Sequence, residues 1–510
     1  MKLFVDLSGG TTPPVRSDAI RRRVNLRAAF TLSASLCGLA AACISGQPVP
    51  EGPPPLSGVA LNAAYVPNGG LLTGMQADGT PALWGSAADP AIAETRLFYD
   101  TLGNPAGEAF DTGDVDPTTG QPVGPHVTAP ATLDDWKRVF GFPTPLPGEA
   151  LQDFRDRTGV VVYYNRNELG LGRELACSKF ADGHDAQGNV LEGSACYVAN
   201  YGPGFRQEQV SLLAAMDGQT PRNTVCISYR PSLDPNYQVQ FYVYNSSGKR
   251  QDWARLDTLG PRPHPQVCMT CHGGGYDSQK HLARNAHFLP LDPNVVLFVK
   301  GNGIPDGVTR AGQEERIRQI NLLATGTPLT AVQSTMLAGL YGNSLPVAGT
   351  TATGDTTPAA WNTRSEDADF HQNVLRPYCL TCHLAGQRGL GDADVPAYQM
   401  FATPSAFDAV ALESYICGSF SMPNAQPTSL GFWDTENNPG VDVAGTRFPA
   451  AADAFLARRG LNRATCNGLP QVAGCDRVSN PDSLCGGDVN GGAVCDTATD
   501  RCAPVTMPVQ

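Results

Sequence analysis

The sequence has few charged side chains, and basic residues are the scarcer kind. Only 16% of the 510 residues are charged, with 36 Lys and Arg against 48 Asp and Glu. An excess of negative charge repels nucleic acid and anionic membrane surfaces, so we expect neither as a direct partner. Sustained apolar runs are lacking outside the first part of the chain, and we therefore expect no transmembrane helix in the body of the protein.

The first 42 residues have the pattern of a bacterial export signal. Four arginines between positions 21 and 27 precede a short apolar stretch, and small residues lead into Cys43. A basic segment, a short apolar segment and a small-residue cleavage site are typical of signal peptides. We predict that Cys43 becomes the lipid-modified first residue of a periplasmic or outer-membrane/cell-surface lipoprotein. Ordinary cleavage nearby, with Cys43 unmodified, is the alternative.

Two copies of one short motif are present. They are CxxCH runs at Cys268–His272 and at Cys379–His383. Two cysteines three positions apart lie on one face of a helical turn, where both can bond to one porphyrin, and the next residue can ligate its iron. We predict two covalent c-type haems held by Cys268, Cys271, His272, Cys379, Cys382 and His383. A redox-active CxxC or a four-cysteine zinc site needs no His after each pair.

The second axial ligand of each iron decides whether the haem is closed or open to small molecules. For the second haem we predict Met422, because Pro423 would stiffen the loop that carries it. Met400 is the rival ligand, and a plain core role for Met422 is the other alternative.

For the first haem we prefer His281, with His287 next. His281 lies nine residues after His272, and the intervening glycines allow the chain to reverse. His264 is too close in the chain to cross to the other face of the porphyrin. If none of these histidines coordinates, the first haem is five-coordinate, and an enzymatic role gains support.

Local patterns predict both strands and helices. Runs of β-branched and aromatic residues predict strands at 160–164, 224–229 and 237–244. Helices are predicted from Thr132, as an N-cap, to Phe140 and over 312–323, 331–341 and 370–378. Trp136 and Phe140 share a face and are expected in a core. Trp361 is expected to be a core residue, with an electron relay as the alternative.

Most of the 15 cysteines lie outside the two motifs. Cys177 and Cys196 bracket a Gly- and Asp-rich stretch that we interpret as a loop, and we expect them to form a disulfide. Cys226 lies in an apolar strand and is expected to be an unpaired core thiol. Cys417 is expected to pair with Cys466. Four tail cysteines permit three pairings, among which the sequence does not choose: Cys475, Cys485, Cys495 and Cys502.

Two stretches resemble known families. Residues 370–383, together with Met422 and Pro423, are similar to single-haem class I cytochrome c domains. The wider body, with the segment 170–173, Cys177, Cys196 and the segment 288–292, resembles uncharacterised cytochrome c lipoproteins of myxobacteria-like bacteria, which implies no known activity. Di-haem cytochrome c peroxidases and rubber oxygenases also carry two CxxCH motifs. The spacing of the motifs here is short for the peroxidase pattern.

The expected fold class is α+β multidomain, with a β-rich N-terminal region followed by mainly α-helical, cytochrome c-like haem domains. The expected divisions are a signal peptide (1–42), a Pro-rich tether (43–57), a mixed, β-rich domain (58–260), a first haem region (261–345), a linker (346–366), a class I cytochrome c-like domain (367–470) and a disulfide-bonded, Cys-rich tail (471–510).

These features predict an exported di-haem cytochrome c that transfers single electrons. Loss of residues 1–42 leaves 30 basic and 46 acidic residues, a net charge of −16. We therefore expect basic redox proteins as partners, contact with the membrane only through the lipid anchor, and no nucleic acid. The alternative is a di-haem peroxidase or oxygenase with an open first haem. No catalytic residue is assigned.

Overall fold

The computed structural model describes a chain that contains both helices and sheets, as expected for an α+β protein. The described residues are 90–116, 119–166, 168–202, 208–254, 262–300, 306–342, 344–354, 356–385, 401–409, 428, 432, 451–462, 493–496 and 501–504. The signal peptide, the tether, Met400, Met422, Cys417, Cys466, Cys475 and Cys485 lie outside these residues. No helix among the described residues is long and apolar enough to cross a membrane.

Among the described residues, most strands lie before residue 285 and the helices from 314 to 458 follow them. The strands are β1 (Ala109–Phe110), β2 (His126–Val127), β3 (Val161–Tyr164), β4 (Gly172–His184), β5 (Val190–Tyr201), β6 (Asn223–Tyr229), β7 (Val239–Asn245), β8 (Trp253–Ala254), β9 (Arg262–Pro263), β10 (Gly275–Asp277), β11 (Leu282–Arg284), β12 (Ala493–Asp496) and β13 (Arg501–Pro504). The α-helices are α1 (Pro90–Leu102), α2 (Leu133–Val139), α3 (Leu151–Thr158), α4 (Glu208–Met216), α5 (Gln266–His272), α6 (Glu314–Thr325), α7 (Ala331–Leu340), α8 (Ser365–Phe370), α9 (Thr381–His383), α10 (Pro404–Asp408) and α11 (Ala451–Arg458).

Strands β3 to β7 form one antiparallel sheet in which each strand pairs with its neighbour in sequence. The predicted strands at 160–164, 224–229 and 237–244 are confirmed as β3, β6 and β7. Our interpretation of the stretch between Cys177 and Cys196 as a loop is wrong, because most of it belongs to β4 and β5. The turn itself is short: the Asp185 carboxylate accepts hydrogen bonds from the amides of Gln187 and Asn189.

The disulfide between Cys177 and Cys196 is confirmed, and it joins directly opposite residues of β4 and β5. Cys226 is confirmed as a buried free thiol. The disulfide closes a loop with a sequence separation of 19 residues. Such a cross-link stabilises a protein mainly by restricting its unfolded chain, by roughly 3 kcal/mol for a loop of this size.

We expect the double variant Cys177→Ala, Cys196→Ala to lose about 3 kcal/mol of unfolding free energy, measured by urea denaturation. Reducing agent should lower the stability of the wild-type protein by about 3 kcal/mol more than that of the variant, because the other expected disulfides are present in both. A variant as stable as the oxidised wild-type protein would contradict the prediction.

One face of the sheet packs against α2. Trp136 and Phe140, predicted as core residues, are fully buried with ring centroids 4.8 Å apart, and both rings contact Tyr242 of β7. The Thr132 side chain accepts a hydrogen bond from the Asp135 amide, which confirms the predicted cap. The helix therefore begins where the sequence places it and fixes one face of the sheet.

Helix α6 approaches the sheet at β3 and β4. Gln313, just before α6, donates from Nε2 to the Val162 carbonyl and accepts from the Val162 amide. The predicted helices at 312–323 and 331–341 are confirmed with bounds of 314–325 and 331–340. Helix α7 begins with a capping box formed by Thr330 and Gln333.

A continuous helical run leads into the second motif. It consists of α8, a π-helix (His371–Leu380) and α9, so the predicted helix at 370–378 is confirmed but begins earlier. The π-helix contains Pro377, which has no amide hydrogen to donate and would crowd the carbonyl four residues before it in an α-helix. The wider turn relieves that crowding.

The predicted linker carries buried side chains. Ala352 and Trp361 are fully buried, and the Trp361 indole donates to the Phe401 carbonyl at 2.7 Å. Trp361 packs against Phe370 and Phe407, as expected of a core residue. In the tail, β12 pairs with β13 so that Cys495 stands opposite Cys502 in the backbone register.

Candidate functional site

The first motif lies on α5. Cys268 and Cys271 are three positions apart on this helix, and His272 is its last residue. The helix ends at Gly273, whose φ is 74°. A Cβ atom at Gly273 would lie 1.9 Å from the Ala385 carbonyl oxygen. The glycine therefore permits both the left-handed turn and the close approach of the segment that follows the second motif.

The second motif lies beside the first, although the two are far apart in sequence. The Sγ atoms of Cys271 and Cys382 are 3.2 Å apart, at a sequence separation of 111 residues. Cys268, Cys271, His272 and Cys382 all line one cavity. Cys379 and His383 are not among the residues lining it; the His383 ring lies 5.1 Å from the Phe401 ring.

The imidazole of His272 is fixed by the backbone. Its Nδ1 donates to the His287 carbonyl at 2.8 Å, and the His287 amide donates to the His272 carbonyl at 2.9 Å. Since a carbonyl only accepts, the proton of the neutral ring is on Nδ1 and the lone pair is on Nε2. Burial lowers the pKa of His272 and keeps it neutral. Metal-bound histidines have this arrangement.

The cavity has a volume of about 270 Å³ and lies between the sheet and the helices that carry the two motifs. Apolar side chains of the sheet form one wall: Leu175, Val198, Val225, Ile227 and Phe241. The Phe241 and His272 ring centroids are 5.1 Å apart. Ile320 of α6 and Val332 and Met336 of α7 also line the cavity. An apolar cavity suits a large, flat, hydrophobic ligand.

Part of the cavity wall is polar and buried. Arg173 donates to the Glu168 carboxylate at 2.8 Å and to the Asn200 side-chain oxygen at 3.0 Å, and Asn200 donates to Asn223 at 2.8 Å. Burial alone would lower the pKa of Arg173, but the Glu168 carboxylate and the Tyr163 hydroxyl together raise it above its usual value. The guanidinium therefore stays charged inside the protein.

A second ion pair lines the cavity and connects the two motif regions. Arg376, in the π-helix before Cys379, forms two hydrogen bonds to the Asp292 carboxylate at 2.7 and 3.0 Å. Asp292 lies in the loop that follows His287. One charge of this pair comes from the segment after the first motif and the other from the helix that leads into the second motif.

The histidines considered as distal ligands, His264, His281 and His287, are not among the described residues that line the cavity. His281 bonds through Nδ1 to the Glu94 carboxylate at 2.8 Å, and His287 donates from Nδ1 to the Pro328 carbonyl at 2.8 Å. His264 is fully buried, its Nδ1 is 3.5 Å from Cys268 Sγ, and burial lowers its pKa to about 4. The assignment of His281 stays a prediction.

No family model, curated protein or solved structure matches the chain. Within the described part of the chain, no group of three or more His, Cys, Asp and Glu side chains is arranged to hold a metal ion directly.

Sequence reasoning assigned no role to several residues of the cavity wall, Glu168, Arg173 and Met336 among them. Arg173 stands in the segment 170–173 of the family resemblance, but nothing there indicated that it lines a cavity together with Glu168. A signal for Met336 was present, since Val332, Thr335 and Met336 share one face of the predicted helix at 331–341, but no pattern showed what that face contacts.

Proposed function

We propose that this protein is an exported di-haem cytochrome c that transfers single electrons. The observation that carries the proposal is the meeting of the two CxxCH motifs, with Cys271 and Cys382 Sγ atoms 3.2 Å apart, beside an apolar cavity. Two short motifs that serve separate purposes have no reason to converge. A bound haem supplies a reversible one-electron couple at its iron.

The residues around the first motif fit a covalent haem. Cys268 and Cys271 lie on one helical turn and both line the cavity, as thioether bonds to one porphyrin require. His272 keeps its Nε2 lone pair for iron because Nδ1 is bonded to the His287 carbonyl. The apolar face of the sheet would exclude water from the porphyrin. A dry, apolar environment around the ring suits an electron-transfer centre.

The polar part of the wall fits the two carboxylates that a haem carries. Arg173 is charged, buried and already oriented by Glu168 and Asn200. Charge-assisted hydrogen bonds from a buried guanidinium to a carboxylate are strong. Arg173 and the side-chain amide of Asn223 would hold the propionates there, and the ion pair between Arg376 and Asp292 offers a second such position.

The protonation of the cysteines argues against a thiol-disulfide enzyme. Reactive CxxC cysteines have a lowered pKa, because the thiolate is the nucleophile. Here burial raises the pKa of Cys379 to about 12 and raises that of Cys268 further. The neighbouring Cys271 thiol and burial also raise the pKa of Cys382. Neutral, buried thiols suit cysteines whose sulfur atoms become thioether bonds to haem.

The remaining parts of the proposal concern residues outside those described. They are the signal peptide at 1–42, lipidation of Cys43, the basic redox partner, and Met422 as the distal ligand of the second haem. The class I cytochrome c-like fold of residues 367–470 is proposed with them; the described parts of this range include the helical run that carries Cys379, Cys382 and His383, and the helices α10 and α11.

A second candidate, a di-haem peroxidase or oxygenase, follows from one observation. None of His264, His281 and His287 lines the cavity. Among the described residues, no second histidine is therefore in place to ligate the first iron opposite His272. An iron with an open position binds oxygen or peroxide.

The test is a pyridine haemochrome count with absorption and EPR spectra of the purified, full-length protein. We expect two covalent haems per chain, both low-spin and indifferent to cyanide and CO. One high-spin haem that binds these ligands would favour the peroxidase or oxygenase. Protein expressed with a haem-attachment system but isolated without covalent haem would overturn both.

A further inference from the structure

We propose that Met336 is the distal iron ligand of the haem bound at the first motif. This inference rests on the proposed function, since it presupposes a haem at Cys268, Cys271 and His272. It departs from the expectation that His281 or His287 supplies this ligand. The thioether of Met336 belongs to a side chain that is 8% exposed and lines the same cavity as His272.

The other potential ligands in the cavity wall are already engaged or protonated. Cys196 is in the disulfide with Cys177, and burial raises the pKa values of Cys226 and Tyr163, which keeps both in their neutral, protonated forms. The carboxylates of Glu168 and Asp292 are bonded to Arg173 and Arg376.

Cys268, Cys271 and Cys382 would be consumed as thioethers to porphyrin. Among the described lining residues, Met336 is then the soft, neutral donor that remains besides His272. A thioether needs no deprotonation to bind iron, so burial does not oppose its ligation as it opposes that of a thiol or a phenol.

Helix α7 is anchored at its N-terminus to both motif regions. Gln333 donates from Nε2 to the Phe288 carbonyl at 2.7 Å, next to the His287 carbonyl that orients His272. The Thr330 hydroxyl donates to the Leu384 carbonyl at 3.2 Å, directly after His383. The helix and the proximal histidine are therefore fixed to the same stretch of backbone.

The face that α7 turns to the cavity is the one that carries the sulfur. Val332, Thr335 and Met336 all line the cavity and are related by steps of three and four residues. Gln333 and Leu337 are buried without lining the cavity. A donor on an anchored helix is pre-positioned, which lowers the entropic cost of ligation.

The test uses Met336→Leu, which keeps the side-chain volume but removes the sulfur, a change that cores tolerate at less than about 1.5 kcal/mol. We expect one of the two haems to become high-spin and to bind CO, where neither does so in the wild-type protein. Met336→His should restore a low-spin haem with a lower potential, since two imidazoles lower it relative to Met ligation.

Met216→Leu is the matched control, because this partly buried methionine of α4 is not among the cavity-lining residues; its spectrum should not change. Met336→Leu is also made in a Cys379→Ala, Cys382→Ala background, which keeps only the first haem. A high-spin, CO-binding haem in that protein assigns the effect to the first haem. A Met336→Leu protein that stays low-spin and inert to CO would overturn the assignment. So would a wild-type first haem that is already high-spin. Absence of covalent haem in the wild-type protein would instead refute the proposed function, and the ligand assignment with it.

Discussion

A variant in which Cys268 and Cys271 are both alanine is expected to carry one covalent haem per chain where the wild-type protein carries two. Each motif has its own pair of cysteines on its own helical turn, so each pair is expected to attach its own porphyrin. The pyridine haemochrome count per chain measures the change. Cys379→Ala combined with Cys382→Ala should remove the other haem and leave the first.

Cys226→Ala is the control for loss of a cysteine, because this buried free thiol also lines the cavity but belongs to neither motif. It should keep both haems. Two haems remaining in either double variant would contradict the assignment of the motifs. A shared four-cysteine zinc site would give a different pattern: one bound zinc in the wild-type protein, lost equally in both variants, with no haem in any of them.

The parts of the fold that depend on local pattern could be predicted from the sequence. The apolar runs around Val162 and Phe241 become strands, Thr132 caps its helix, and the Cys177–Cys196 disulfide forms as expected. Each of these depends on residues near one another in sequence or on a simple pairing rule. The haem chemistry proposed for the CxxCH motifs also has a local basis, five consecutive residues, and stays a prediction.

What the sequence did not predict depends on contacts between distant segments. The approach of Cys271 to Cys382 requires the chain to pass close to Gly273, and nothing in either motif specifies that contact. The long hairpin of β4 and β5 was missed because its glycines and aspartates dilute the apolar alternation, although only a short turn departs from the ladder. The role proposed for Met336 could be inferred only from the cavity that this side chain lines.

The largest expected loss of stability concerns an ion pair at one end of the sheet, where Asp182, near the end of β4, meets Arg230 just after β6. Their side chains are 1% and 8% exposed. Arg230 Nε donates to Asp182 at 3.0 Å and its Nη1 donates to the Leu102 carbonyl at 2.7 Å, while the Ser232 amide donates to the other Asp182 oxygen at 2.9 Å. The pair therefore joins the sheet to the end of α1.

Asp182→Ala should lower the free energy of unfolding by about 3–5 kcal/mol, because it leaves the buried Arg230 guanidinium without its counter-charge. The control, Glu192→Ala, removes the partner of Lys179 on the same hairpin, where both side chains are more than half exposed; this pair should contribute no more than about 1 kcal/mol. Urea denaturation of both variants with haem bound measures the difference.

Equal losses in the two variants would contradict this prediction and would mean that the Arg230 guanidinium regains solvation when Asp182 is removed. Restored stability in a double variant, Asp182→Leu with Arg230→Met, would locate the cost in the unpaired charge, since apolar replacement of both partners removes it.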